Sequence, residues 1–99
     1  MLVAHVGLTT SGSIGAGVAM TMDEAVEKVM AVYEAGKAAR DDVLVICHGG
    51  VFDEPPNVAK ALARMPGVAG FFGASSIERL PTERAIRQQV EDFKTIRLV

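Results

Sequence analysis

Val43-Leu44-Val45-Ile46-Cys47-His48-Gly49-Gly50 is an apolar run that stops abruptly at a histidine and two glycines. A short, partly β-branched apolar run bounded by glycine reads as a strand buried on both faces. Two further stretches follow the same order. Upstream, Leu2-Val3-Ala4-His5-Val6-Gly7-Leu8 runs into a small-residue loop, Thr9 to Met20, that holds Gly12, Gly15 and Gly17. Downstream, Val68-Ala69-Gly70-Phe71-Phe72 runs into Gly73-Ala74-Ser75-Ser76.

A helical pattern follows each strand and loop. Thr21-Met22-Asp23-Glu24 spells a capping box, in which the threonine hydroxyl accepts from the Glu24 amide and the glutamate reaches back. Met22, Val26, Val29 and Tyr33 then recur at helical spacing, and Lys37 and Arg40 suit the negative end of the helix dipole. Asp53 ahead of Pro55-Pro56 marks the second helix, because proline fits a first turn; Val58, Leu62 and Met65 form its stripe and Pro66-Gly67 ends it. Pro81 opens the third helix, with Ile86, Val90 and Phe93 as its expected buried face, and Ile96 to Val99 either finish it or dock as a tail. The order strand, loop, helix repeats without any repeat of sequence. It predicts an α/β fold of three parallel βα units with right-handed crossovers, forming one domain over residues 1–99.

In such a sheet every loop that follows a strand lies at the same, carboxyl end. His48, Gly49, Gly50 and the segment Gly73 to Arg79 converge there in space, with the loop from Thr9 to Gly17 on the same rim. Glycine lets backbone amides approach a ligand with no Cβ in the way, and successive amides form an anion-binding concavity. Ser75 and Ser76 add hydroxyl donors, and Arg79 adds a planar fork that matches phosphate or carboxylate. TIM barrels frequently hold phosphate between the loops after their last two strands. The competing reading is that these glycines serve tight turns alone, and residue chemistry does not separate the two.

The histidines are candidate acid/base groups, since imidazole titrates near neutrality. His48 ends a strand at the rim and suits a ligand-facing role. His5 sits inside a strand pattern, where packing or a bond to a neighbour is the favoured reading. Glu78 beside Arg79 reads equally as a local ion pair or a ligand contact. Asp53 and Glu54 read as cap and dipole partners. Thr9, Thr10, Ser11 and Ser13 supply hydroxyls, but a nucleophile needs a base within reach. Cys47 ends an apolar run and reads as a packing residue.

Several classes are excluded. The 99 residues carry 10 basic and 12 acidic side chains for a net charge of -2, mixed along the chain, so there is no footprint for nucleic acid or an anionic membrane. With 49% hydrophobic and 22% charged residues the chain is globular. No apolar run approaches the ~20 residues that span a bilayer, and no basic stretch precedes a long apolar core as in a secretory signal. One cysteine and two histidines form neither a disulfide nor a metal site, and are compatible with a reducing cytoplasm. Gly12-x-x-Gly15-x-Gly17 has the wrong glycine order for a dinucleotide fingerprint, and no Gly-Lys-Ser/Thr phosphate loop occurs.

Three blocks carry a resemblance to a known family. His5-Val6-Gly7-Leu8-Thr9-Thr10-x-Gly12-x-Ile14-Gly15, then Cys47-His48-Gly49-Gly50, then Gly73-Ala74-Ser75-Ser76-x-Glu78-Arg79-Leu80-Pro81 resemble, in order, the phosphoenolpyruvate hydrolase-like TIM-barrel family. The last block is the most specific of them. The resemblance implies the C-terminal part of a (β/α)8 barrel, with a phosphate- or carboxylate-binding rim for a phospho- or phosphono-pyruvate-like acid. It implies a parent that is a hydrolase or lyase, or a non-catalytic ligand-binding or signalling module on the same barrel. A whole barrel takes roughly 250 residues. In related barrels the acidic residues that bind Mg2+ come from earlier strands, so no cofactor is expected in this chain, and Mg2+ only in a full-length parent. Met1 running straight into a strand pattern fits the loss of those earlier strands. A three-strand sheet leaves two open edges. The expected partners are therefore a small anionic metabolite and either further copies of the chain, as a homo-oligomer, or the remainder of the barrel.

Overall fold

Thr21 caps the first helix as its sequence requires. Its hydroxyl accepts from the Glu24 N–H at 3.2 Å, and the Glu24 carboxylate accepts from the Thr21 N–H at 2.8 Å. The computed structural model, which describes residues 1–8, 12 and 20–98, runs β1 (Leu2–His5), α1 (Met22–Ala39), β2 (Val45–His48), α2 (Pro55–Leu62), β3 (Gly70–Phe72) and α3 (Arg79–Lys94). The strands are parallel and lie in the order β1-β2-β3. This is the βα arrangement read from the sequence, with each strand shorter than its apolar run. Of the loop from Thr9 to Gly17 only Gly12 lies within the described residues.

Alternation along the strands sorts side chains between the two faces of the sheet. Ala4, Val45 and Cys47 turn toward the helices and are buried. They join Ala25, Val26 and Val29 of α1 and Ala61 of α2 in one core, closed by Val6, Phe52 and Met65. Gly36 lets α1 come close, since a Cβ there would lie 2.6 Å from the Leu2 side chain. Burial of side chains the size of Val29 and Val45 is worth about 1.5–3 kcal/mol each and is the main force holding helix to sheet.

The opposite face differs from the expectation of strands buried on both sides. Val3, His5, Ile46, His48, Gly70 and Phe72 share it through the registers Val3↔Ile46↔Gly70 and His5↔His48↔Phe72. Val3 is 45% exposed and Phe72 51%. Both helices that pack on the sheet lie on its other side, and among the described residues no second layer covers this one.

The last helix also departs from its expected role. Ile86, Val90 and Phe93 were expected to be buried, yet they are 61%, 54% and 62% exposed. Only Leu80 of α3 is buried. The helix is tied near its start by an ion pair between Arg84 and Glu54, then projects from the sheet and stretches the molecule to 70 × 24 × 19 Å. The reason is topological. A crossover helix packs over its own strand and the next one, and no described strand follows α3. Its remaining support is local, from i,i+4 contacts such as Arg79–Glu83 at 3.1 Å and Gln88–Asp92 at 2.8 Å, each worth a few tenths of a kcal/mol. Amides of the distal half of α3 should therefore exchange with solvent far faster than those of β2, by at least about a hundredfold. Equal protection measured by hydrogen exchange would contradict this packing.

Candidate anion-binding site at the carboxyl rim

The rim is organised by glycines whose backbone turns the wrong way for most side chains. Gly7, Gly49 and Gly50 have φ of 104°, 83° and 56°, the left-handed region that side chains resist. The Gly50 N–H donates to the Gly7 carbonyl at 2.8 Å, locking the end of β2 to the end of β1. A Cβ on Gly49 would strike that same carbonyl, and one on Gly50 would lie 2.8 Å from the Val6 oxygen. Glycine here serves the close approach of two backbones, and the Gly50 amide is committed to it.

Above this crossing lies a cavity of about 170 Å³, lined among others by His5, His48, Gly49, Ala74, Ser75 and Ser76. Residues from the ends of all three strands thus meet, as a parallel sheet requires. The two histidines sit directly opposite one another in the β1–β2 register, with ring centroids 5.0 Å apart and planes at 63°. His5 closes β1 at the rim, and its Nδ1 accepts from the Gly7 N–H at 3.1 Å. His48 Nδ1 lies 2.7 Å from the Phe72 carbonyl oxygen, and its ring rests against the Phe72 ring at 4.7 Å.

The turn after β3 supplies the polar side of the cavity. The carbonyl of Ala74 accepts from the amides of Ile77 and Glu78, and that of Ser75 from the amide of Leu80. Among the described residues, the amides of Ala74, Ser75 and Ser76 have no acceptor within the protein. The Ser76 hydroxyl is likewise buried without a partner. Gly73 does not line the cavity but makes room for that hydroxyl: a Cβ there would lie 2.8 Å from Ser76 Oγ and 2.9 Å from the Phe71 ring.

Other expected site residues stand elsewhere. Arg79 does not line the cavity; its guanidinium pairs with Glu83 at 3.1 Å, the i,i+4 geometry of the first turns of α3. Glu78 caps α3 through its backbone and is exposed, its carbonyl accepting from the Thr82 hydroxyl at 2.6 Å. Gly50 is buried below the cavity. Thr9 and Thr10 lie outside the described residues. Asp53 is 7% exposed and accepts from Asn57 Nδ2 at 2.8 Å, while Glu54 holds the cap position of α2 without a side-chain bond to it. Cys47 is fully buried on the helix side, and burial pushes its thiol pKa up, so it faces away from the rim. Gly7, Leu8, Phe52 and Phe72 also line the cavity and were not read as site residues. Gly7 carried a signal, a glycine closing a strand as Gly49 does, whereas the Phe72 carbonyl acts through its backbone and leaves none.

Among the described residues no group of three or more His, Cys, Asp or Glu side chains could hold a metal ion. Magnesium takes six oxygen ligands in near-octahedral order, so the described rim residues do not by themselves make a Mg2+ site. No described helix is long and apolar enough to cross a membrane.

Three parallel strands alternating with helices, with a glycine-rich rim at their carboxyl ends, place the chain among α/β proteins with a parallel sheet. Within that class, the chain belongs to the phosphoenolpyruvate hydrolase-like family, whose model matches residues 1–96. It is 49% identical over 96 residues to the ToMV susceptible protein tm-1 and to the ToMV resistance protein Tm-1, both of Solanum lycopersicum. Each match covers 97% of this chain but 13% of the tomato protein, so the chain spans about an eighth of these relatives.

An unpartnered buried hydroxyl costs about 1–3 kcal/mol. Ser76→Ala should therefore leave the ligand-free protein as stable as before or up to about 1 kcal/mol more stable in urea unfolding. A loss above that size would mean that Ser76 already satisfies a bond within the protein.

Proposed function

We propose that this rim cavity binds a small phosphorylated, phosphono- or carboxylate-bearing acid, and that the chain is the anion-binding, C-terminal end of a longer TIM barrel. One observation carries the reading: Ala74, Ser75 and Ser76, whose amides and, in Ser76, whose hydroxyl have no partner within the protein among the described residues, line a cavity that also holds both histidines. Polar groups left unpaired at a cavity wall are the usual mark of a place where a ligand completes the bonding. Membership of a family named for phosphoenolpyruvate hydrolysis supports the same chemistry. In a catalytic parent, His48 is the candidate acid/base group and the earlier strands supply any Mg2+. The lack of a carboxylate cluster among the described residues favours a second reading for this chain alone, in which it binds the acid without turning it over.

The anion contacts proposed are amides, a hydroxyl and imidazoles, with Arg79 already paired to Glu83. Affinity for inorganic phosphate should accordingly be modest, with Kd on the order of 1 mM. Titration of phosphate into the 15N-labelled chain should shift the amides of Ala74, Ser75 and Ser76 saturably. No saturable shift at those amides would overturn the reading.

The bare sheet face belongs to the same proposal. Val3, Ile46 and Phe72 are apolar groups on a face that a closed barrel fills, so further strands cover it, from the rest of the parent or from another copy. In isolation the chain should associate at micromolar concentration by light scattering. A stable monomer would contradict this part of the proposal.

A further inference from the structure

The two histidines at the rim are held in opposite tautomers. A backbone N–H can only donate, so His5 Nδ1, which meets the Gly7 N–H at 3.1 Å, is an acceptor and its proton sits on Nε2. A carbonyl oxygen can only accept, so His48 Nδ1, 2.7 Å from the Phe72 oxygen, carries a proton, and in the neutral ring Nε2 keeps its lone pair. Among the described residues neither Nε2 has a hydrogen-bond partner. Both rings line the cavity, and they are register partners on the same sheet face. The rim therefore presents one fixed donor, His5 Nε2–H, and one fixed acceptor, His48 Nε2, beside the unpaired amides of Ala74 to Ser76.

We infer that the site selects an oxyanion that still carries a proton: inorganic monohydrogen phosphate, or a phosphate ester or phosphonate in its singly protonated form, whose O–H donates to His48 Nε2 while another oxygen accepts from His5 Nε2–H. This deepens the anion-site reading and rests on it. Sulfate has the same shape and the same double charge as monohydrogen phosphate but no proton. It would set an oxygen lone pair against the His48 lone pair, and two facing acceptors repel and form no hydrogen bond. A site built to receive a hydrogen bond rejects the analogue that lacks the donor.

The test compares inorganic phosphate with sulfate on the full chain at about pH 8, where phosphate is chiefly the monohydrogen dianion. Long-range 1H–15N spectra of the histidine side chains accompany the titrations. The expected result is the Nδ1–H tautomer at His48, the Nε2–H tautomer at His5, and phosphate binding at least about tenfold tighter than sulfate. In His48→Phe, which keeps a ring against Phe72 but has no nitrogen, that preference should disappear. Equal binding of the two anions by the unmodified chain, or the reverse tautomers, overturns this inference and leaves the anion-site reading standing. Binding of neither anion overturns both.

Discussion

The approach of the β1 and β2 ends is the constraint on which the rim depends. Gly50 N–H reaches the Gly7 carbonyl, and Gly49 turns with positive φ over the same oxygen. A side chain at Gly49 would combine the roughly 1–2 kcal/mol cost of left-handed backbone with a collision against that carbonyl. With the crossing in place, the strand register sets His5 opposite His48, and the turn of Gly7 delivers its amide to the His5 ring. The site is a product of backbone geometry first and of side-chain chemistry second.

The third strand completes it by different means. Phe72 contributes a carbonyl that orients His48 and a ring that supports it. The turn beyond contributes amides and the Ser76 hydroxyl, for which Gly73 leaves the space. The two halves of the cavity wall thus come from loops far apart in sequence and are joined by the ladder of β2 and by the contact of His48 with Phe72. The helix side of the sheet holds this ladder through the core around Val29, Val45 and Cys47. The opposite face contributes little to its stability.

Much of this was legible in the residues. Alternating apolar runs and capped helices spelled out the three βα units, and the capping box at Thr21 formed as written. Convergence of His48, Gly49 and Ser75-Ser76 followed from parallel topology alone. Arg79 was read for a charge that suits an anion; its guanidinium stands outside the cavity lining and pairs with Glu83 one turn on. Gly50 was read for an amide that could meet a ligand, and that amide donates to the Gly7 carbonyl instead. The exposed faces of the sheet and of α3 were not legible, because an apolar stripe encodes a buried surface without saying which part of a larger fold buries it. His5 was read as a strand residue that packs in the barrel or bonds a neighbour. Its Nδ1 accepts from the Gly7 N–H, and that bond fixes which of its nitrogens carries the proton.

The central claim is that the β1–β2 crossing brings the two histidines together at one rim. Nuclear Overhauser contacts between the ring protons of His5 and His48 in the full chain test this most directly. Rings whose centroids lie 5.0 Å apart should give clear cross-peaks between them. Their absence, in a chain whose β1–β2 backbone contacts are present, would contradict the account.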